Sequence, residues 1–155
     1  MPTHSEKRIV PYSADEMYAL IADVARYPEF LPWCAAARIR GTRPLPDGAG
    51  EVMEADLVIS FKVYRERFGS RVTLRPAERR IDVEYLEGPF RYLQNHWAFV
   101  PLGDQRCEID FFVDFEFRSA LLQRLIGLVF HEAMLRIVRA FEKRAAQLYG
   151  ARSTA

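Results

Sequence analysis

This chain of 155 residues is poor in cysteine and has no long apolar run, and each scarcity excludes a class of protein. Its two cysteines, Cys34 and Cys107, are too few and too far apart for a disulfide-stabilised secreted scaffold, so we expect free thiols. No apolar run approaches the roughly 18 residues that a membrane-spanning helix needs. Residues 1–10 have neither the apolar core of a signal peptide nor the composition of a transit peptide. These absences favour a cytoplasmic, bacterial protein.

The chain also lacks the short motifs of common enzymes. GxSxG, GxGxxG and the P-loop sequence are all missing, which removes the usual support for hydrolase, dinucleotide and nucleotide chemistry. The three histidines, His4, His96 and His131, do not have the spacing of metal ligands. The sequence therefore predicts no metal site, no required cofactor and no catalytic residue.

The charge is balanced, with 22 basic and 21 acidic residues and a net charge of +1. A protein that binds nucleic acid through its bulk charge carries a larger positive excess, so we expect no DNA binding. Arginine supplies most of the basic residues, and local clusters such as Arg136 with Arg139 remain. We interpret these clusters as solvated faces, with a nucleic-acid contact as the alternative.

Half of the residues are hydrophobic, which at this length predicts one packed domain over residues 1–150, with a disordered tail at 151–155. A first strand is expected before Pro11. Residues 13–16 form an S-x-x-E capping box, which is typical of the start of a helix. Pro28 disfavours helical geometry in the residue before it, so this helical segment is expected to bend and end soon afterwards.

Alternation with a period of two between Ala36 and Phe117 predicts six strands, separated by a turn near residues 62–64 and by four turns that carry proline, most of them with glycine. The clearest strand is Cys107–Phe117, in which apolar and mostly acidic residues alternate. Residues 119–149 hold no proline and predict one long helix. This order predicts the α+β class, with a curved antiparallel sheet of about seven strands and the helices on one face.

A curved sheet of this size and a single long helix leave space between them. We therefore expect a hydrophobic tunnel, lined by the inward-facing aromatic and aliphatic side chains, that suits an apolar ligand. The alternative is that the same side chains fill a dry core.

The long helix carries apolar residues on an unexpected side. Leu121, Leu125 and Leu128 lie on the side that carries charged residues further along the helix. Either residues 27–33 cover these leucines, or they contact a membrane, a partner chain or an entering ligand. Gly127 lies within the same predicted helix, where glycine is unfavourable. Either another group approaches the backbone closely there, or the helix tolerates the glycine without a structural reason.

Several stretches carry a family resemblance. They are residues 27–34 (YPEFLPWC), 68–72 (FGSRV), 88–90 (GPF) with 97–99 (WAF), and 114–117 (DFEF) before a helix that ends in 140–145 (AFEKRA). In this order they resemble the coenzyme Q-binding family of START-like, helix-grip proteins, within the polyketide cyclase/dehydrase-like group. The resemblance spans about residues 4–150.

The resemblance implies a tunnel between sheet and C-terminal helix, and a non-enzymatic role. The implied function is to bind and chaperone ubiquinone or a similar isoprenoid lipid, in support of respiratory electron transport. For such a role we expect a cytoplasmic protein with peripheral contact at the inner membrane. The family also includes ribosome-association toxins, which bind the large ribosomal subunit and block subunit joining, and the sequence does not separate the two roles. A polyketide aromatase or cyclase is a weaker alternative, because the inward-facing set shows no acid or base.

On the matching positions, the resemblance implies a mouth at residues 28–33 and a second rim at 88–90. Membrane or partner contact at Leu121, Leu125 and Leu128 is expected from the apolar first turns of the long helix. Donors for a quinone carbonyl are expected among Ser70, Tyr85, Asn95 and Trp97. The full set of expected ligand contacts is Phe30, Leu31, Trp33, Phe61, Ser70, Tyr85, Phe90, Leu93, Asn95, Trp97, Phe99, Phe111, Val113, Phe115, Ile126, Phe130 and Met134.

Overall fold

The computed structural model describes residues 3–61 and 64–152, with the side chain of Phe61 outside the described part. Its strands are β1 (Thr3–Val10), β2 (Cys34–Pro44), β3 (Glu51–Phe61), β4 (Tyr64–Arg75), β5 (Arg80–Glu87), β6 (Phe90–Pro101) and β7 (Cys107–Phe117). The α-helices are α1 (Ala14–Ala22) and α2 (Ala120–Tyr149), and short 3-10 helices cover Val24–Glu29 and Pro76–Glu78. The predicted α+β class and order of elements are confirmed.

The strands form one antiparallel sheet in the order β1-β7-β6-β5-β4-β3-β2. Strands β2 to β7 follow one another as a meander, and β1 adds to the free edge of β7. Along β7 every second residue is buried, from Cys107 to Phe117, as the alternation predicts. Register shifts interrupt the pairing of β2 with β3, β4 with β5 and β6 with β7. Such irregularities bend strands and increase twist, which curves the sheet around its buried face.

Helix α1 fills one end of the concave face of the sheet. Its capping box is present, because the Glu16 amide donates to the Ser13 hydroxyl at 3.0 Å and the Ser13 amide donates to the Glu16 carboxylate at 2.9 Å. The buried side of α1 brings Met17 and Ile21 into the core. The chain then bends through the 3-10 helix that contains Pro28, as expected.

Helix α2 closes the rest of the concave face, and its last turn is tied to α1. The Tyr149 hydroxyl donates to the Glu16 carbonyl oxygen, and the Tyr12 hydroxyl to the Gly150 carbonyl oxygen, both at 2.9 Å. Arg152 lies in the expected disordered tail, yet its guanidinium donates to both Glu16 carboxylate oxygens at 2.7 and 3.1 Å. Residues 153–155 lie outside the described part, and the single-domain division stays a prediction.

The outer face of the sheet carries ion pairs between arginines and acids. Asp56 is buried and accepts hydrogen bonds from Arg40, with the Nε to Oδ2 distance at 2.9 Å, and from Arg67 at 2.9 Å. Arg40 also donates to Glu87. A Cβ on Gly69 would lie 3.0 Å from the Arg40 guanidinium, so a side chain at this position would crowd the ion-pair network.

Candidate functional site

A cavity of about 290 Å³ lies between the concave face of the sheet, the 3-10 helix at Val24–Glu29 and α2. Its wall is almost entirely aliphatic and aromatic. Because α1 fills the other end of the concave face, the cavity occupies one half of the space that the sequence predicts. The alternative of a fully filled core is therefore wrong for this half. At the α1 end Met17 and Ile21 are buried, and a separate cleft of about 760 Å³ lies between α1 and strands β2 to β4.

The structure places most of the expected ligand contacts on the cavity wall. The strands supply the largest share, and α2 and the segment before β2 supply the rest. These residues are Leu31, Trp33, Ser70, Phe90, Leu93, Asn95, Trp97, Phe111, Val113, Phe115, Ile126 and Met134. Whether they contact a ligand stays a prediction, and Phe61 lies outside the described side chains.

Phe30 and Phe130, also expected as ligand contacts, do not lie on this wall. The Phe30 ring packs against Phe141, with centroids 5.4 Å apart, and the Arg144 guanidinium lies over it at 5.1 Å. The Phe130 ring faces the β1 side of α2, where its centroid is 6.3 Å from that of His4. Each ring therefore packs beside the wall, Phe130 also against the wall residue Phe115 with centroids 5.6 Å apart, and whether either contacts a ligand stays a prediction.

Tyr85 and Phe99 face the interior as expected but lie beyond the ends of the cavity. The Tyr85 hydroxyl accepts a hydrogen bond from the Phe90 amide at 3.1 Å, which holds its ring under the turn between β5 and β6. Phe99 is buried beneath α1, with its ring edge-on to that of Tyr18 at 6.0 Å. Both residues therefore lie on the predicted face but off the wall of this cavity, and their contact with a ligand stays a prediction.

Other residues of the wall were not among the expected contacts. Most share the inward parity of their strand or the buried stripe of α2, so the same periodicity identifies them. Val24 and Tyr27 come from the 3-10 helix, whose position follows from tertiary packing alone. The set is Val24, Tyr27, Pro32, Cys34, Leu57, Ile59, Phe68, Val72, Ile81, Val83, Phe117, Ala133, Ile137 and Phe141.

The few polar groups on the wall mostly bind one another. The Trp97 indole donates to the Asn95 side-chain oxygen at 2.9 Å, and the Asn95 amide nitrogen donates to the Phe112 carbonyl oxygen at 2.9 Å. Ser70 is buried, and its hydroxyl is 3.4 Å from the Ala55 carbonyl oxygen, which is long for a hydroxyl hydrogen bond. Of the four expected donors, Ser70 is the one on the wall with the weakest existing bond.

Two titratable groups face the cavity, and both stay neutral near pH 7. Burial raises the pKa of the Cys34 thiol to about 11, and the thiol lies 3.7 Å from the Ala36 carbonyl oxygen. Burial also raises the pKa of Tyr27, whose hydroxyl donates to the Ile21 carbonyl oxygen. Across residues 3–61 and 64–152, no group of three or more histidine, cysteine or acidic side chains could hold a metal ion. The cavity therefore offers an uncharged, apolar environment.

A smaller cavity of about 70 Å³ lies next to the first one, towards the start of α2. Trp33 and Ile126 are among the residues that line both cavities, so side chains form the partition between them. Trp33 has a φ of 64°, in the left-handed region that costs a non-glycine residue roughly 1–2 kcal/mol. Tyr64 and Val129 line the small cavity on its outer side.

The three leucines singled out on α2 are uncovered. Leu121, Leu125 and Leu128 are 66%, 46% and 80% exposed. Residues 27–33 therefore do not cover them, which removes that alternative. Within the described part of the chain, no helix has the apolar length that a bilayer crossing needs.

Known proteins resemble this chain over nearly its whole length. The family model described as polyketide cyclase/dehydrase and lipid transport matches residues 10–142. The ribosome association toxin RatA of Escherichia coli (strain K12) is 38% identical over 98% of this chain and 92% of its own length. The coenzyme Q-binding protein COQ10 homolog B, mitochondrial, of Xenopus laevis is 32% identical over 95% of this chain and 59% of its own length.

Solved structures have the same architecture. The 18 kDa protein CC1736 from Caulobacter crescentus matches with a TM-score of 0.78 and 37% identity, covering 97% of this chain and 100% of that chain. A START superfamily protein from Mycobacterium smegmatis matches with a TM-score of 0.77 and 22% identity, covering 94% and 98%, which shows the fold alone. The resemblance found in the sequence is confirmed. The chain belongs to the polyketide cyclase/dehydrase and lipid transport family and has a START-like fold.

Proposed function

We propose that the protein binds and chaperones ubiquinone or a similar isoprenoid lipid, and that the ring of this ligand occupies the large cavity. The observation that carries the proposal is the uncharged, apolar wall around about 290 Å³. This volume is at the lower end of small-molecule sites, which span roughly 300–1,000 Å³. It suits a substituted ring and the first part of a chain, whereas a long isoprenoid tail has to leave the cavity.

Ser70 is the group that we propose for contact with a quinone carbonyl oxygen. Its hydroxyl is buried on the wall and makes only a long hydrogen bond to Ala55 at 3.4 Å. Asn95 and Trp97 already bind each other, so a ligand would have to break that bond to use either one. A neutral hydroxyl can turn towards a ligand at little cost, because it gives up a weak bond for a better one.

We infer that the ligand is bound without chemical conversion and that no cofactor is needed. Acid and base catalysis requires a group that changes protonation near the working pH. The described wall has only the Cys34 thiol and the Tyr27 hydroxyl, whose pKa values are both raised by burial. This supports a binding role over the aromatase or cyclase alternative, and the proposed part in respiratory electron transport rests on the proposed ligand.

Tryptophan fluorescence tests this proposal directly. Both tryptophans of the chain, Trp33 and Trp97, line the cavity, so a quinone bound there is expected to quench most of the emission. The titration uses a ubiquinone analogue with a ten-carbon chain, in buffer without detergent. Ala133→Leu adds volume on the wall and is expected to abolish saturable quenching, whereas Ala140→Leu, on the same helix but off the wall, is the control. Equal quenching of both variants would contradict the proposal.

A second candidate function is association with the ribosome. It is favoured by the 38% identity to a ribosome association toxin over 98% of this chain. Exposed arginines on α2, including Arg136 and Arg139, offer groups that can contact RNA phosphates. The two candidate functions use different parts of the molecule, so they can be tested separately.

Sedimentation with purified ribosomal subunits tests the second candidate. Binding that is lost in the Arg136→Glu, Arg139→Glu double variant and kept in Ala133→Leu would support ribosome association through α2. Absence of sedimentation at low salt, where phosphate contacts are strongest, would rule this function out for the protein.

A further inference from the structure

We propose that the exposed face of α2 docks on the surface of an anionic phospholipid membrane. This face has two parts, an apolar patch near the start of the helix and a basic stripe along the rest. The docking claim is independent of the cavity ligand. The path by which a lipid would then reach the cavity rests on the proposed function.

The apolar patch consists of Leu121, Leu125, Leu128 and Val129. Their exposed fractions are 66%, 46%, 80% and 41%, so all four present large apolar surface to water. Positions three and four apart in a helix lie on one side, which makes these residues a continuous patch. A folded protein seldom leaves such a patch on a helix unless the patch meets another apolar surface.

The basic stripe consists of Arg124, Arg136, Arg139 and Lys143. All four are exposed, and at about 100° per residue they lie on the same half of the helix as the apolar patch. Within the described part of the chain none of the four has an ion-pair partner, whereas Arg144, on another side of α2, pairs with Glu29 at 2.7 Å. Glu132 and Glu142 are the acids on this half, and Glu142 is already paired with Arg8 at 2.8 Å, so the half has an excess of positive charge.

This combination matches a membrane interface better than the other candidate surfaces. An interfacial helix places apolar residues among the acyl chains and cations among the anionic headgroups. RNA would pair with the basic stripe but leave the four apolar side chains in water. A second copy that covered this whole face would bury the unpaired cations of the basic stripe, which opposes association.

The apolar patch continues into the interior of the protein. Val129 belongs to the patch and also lines the small cavity, as does Leu122 one position after Leu121. The small cavity is separated from the large one by side chains that include Trp33 and Ile126. A tail that leaves the large cavity past Trp33 would therefore emerge at the patch, where the docked membrane would receive it.

Sedimentation with lipid vesicles tests the docking claim without any cavity ligand. The vesicles are phosphatidylcholine alone and phosphatidylcholine with phosphatidylglycerol. The apolar patch is tested by Leu121→Gln with Leu125→Gln, and its control is Leu148→Gln, since Leu148 is 52% exposed on the opposite side of α2. The basic stripe is tested by Arg139→Gln, and Arg38→Gln, at an exposed and unpaired arginine of β2, is the control with the same net charge.

The wild-type protein is expected to sediment with the anionic vesicles and less with the neutral ones. The leucine variant should lose binding by about tenfold or more, and Arg139→Gln by about fivefold, with both controls unchanged. Equal binding of the leucine variant and its control would overturn the proposal, as would sedimentation with ribosomes and not with vesicles. A dimer that the leucine variant converts to a monomer would overturn it too, because the patch would then be a contact between copies. The fluorescence titration in solution is unaffected by any of these outcomes, so failure of docking and failure of ligand binding are distinguishable.

Discussion

Asp56 is the residue on which the outer face of the sheet depends most. Its carboxylate is buried and receives hydrogen bonds from Arg40 on β2 and Arg67 on β4, while Arg40 also reaches Glu87 on β5. Four neighbouring strands are therefore joined through charged side chains. A carboxylate that leaves water is stabilised only when its partners remain in place, so the network is sensitive to the loss of any member.

Replacing Asp56 with asparagine is expected to lower the stability of the protein near neutral pH. Hydrogen bonds from Arg40 are the main cause of the lowered pKa of Asp56 in the folded state. A lowered folded-state pKa contributes stability above the unfolded pKa of about 4, and this contribution is lost as the pH falls through the folded value. Urea unfolding of wild type and Asp56→Asn should therefore differ at pH 7, and the difference should shrink below pH 4. A difference that grows in acid would contradict this role of the carboxylate.

A substitution at Ser70 distinguishes a ligand that is held by a hydrogen bond from one that is held by apolar contacts alone. If its hydroxyl donates to a quinone carbonyl, Ser70→Ala should weaken quinone binding by about threefold to tenfold, the usual effect of one neutral hydrogen bond. An alkylbenzene with the same chain and no carbonyl is the control ligand, and its affinity should not change. Equal losses for both ligands, measured by tryptophan fluorescence, would indicate that the variant disturbs the wall and makes no specific contact.

The residues of β6 show what sequence can predict about a single position and what it cannot. The alternation along β6 correctly predicted which residues face inwards, namely Leu93, Asn95, Trp97 and Phe99. Periodicity gives the face of a strand but not which part of that face another element covers. Phe99 lies under α1, which no local pattern encodes, so it packs against Tyr18 and not on the cavity wall.

The two halves of α2 have different structural roles. The C-terminal half is fixed to α1 through Tyr149 and Gly150, and it buries Phe141 and Ala145. The N-terminal half lines the small cavity and exposes the apolar patch, and both halves contribute to the wall of the large cavity, the C-terminal half through Ile137 and Phe141. The sequence predicted this division from the position of three leucines. It did not predict the 3-10 helix as a cavity wall, because that role depends on how far Pro28 bends the chain.

Gly127 lies in the N-terminal half of α2 with open space around it. A Cβ there would meet no atom within 4 Å, so no close approach explains the glycine. Gly127→Ala is expected to raise the free energy of unfolding by about 1 kcal/mol, because alanine loses less backbone entropy in a helix. Gly50→Ala is the control in the opposite direction, since its Cβ would lie 2.0 Å from the Leu74 carbonyl oxygen. A loss of stability in Gly127→Ala, measured by thermal unfolding, would show that the helix needs glycine here.

The whole molecule is a curved sheet whose concave face is covered unequally. Helix α1 packs tightly at one end, and α2 with the 3-10 helix leaves a cavity at the other. The order of elements along the chain and the long helix were predictable, because the strands alternate and most turns between them carry proline or glycine. The cavity volume was not predictable, because it depends on the curvature of the sheet and on where α1 stops.

The most direct test of the account is mass spectrometry of an organic extract from the protein, purified without detergent from a quinone-producing bacterium. We expect about one isoprenoid quinone per chain in the wild type and in Ala140→Leu, and little in Ala133→Leu, whose added side-chain volume occupies the cavity. Circular dichroism checks that all three proteins are folded. A folded wild-type protein whose extract contains no quinone or other isoprenoid lipid would contradict the central claim.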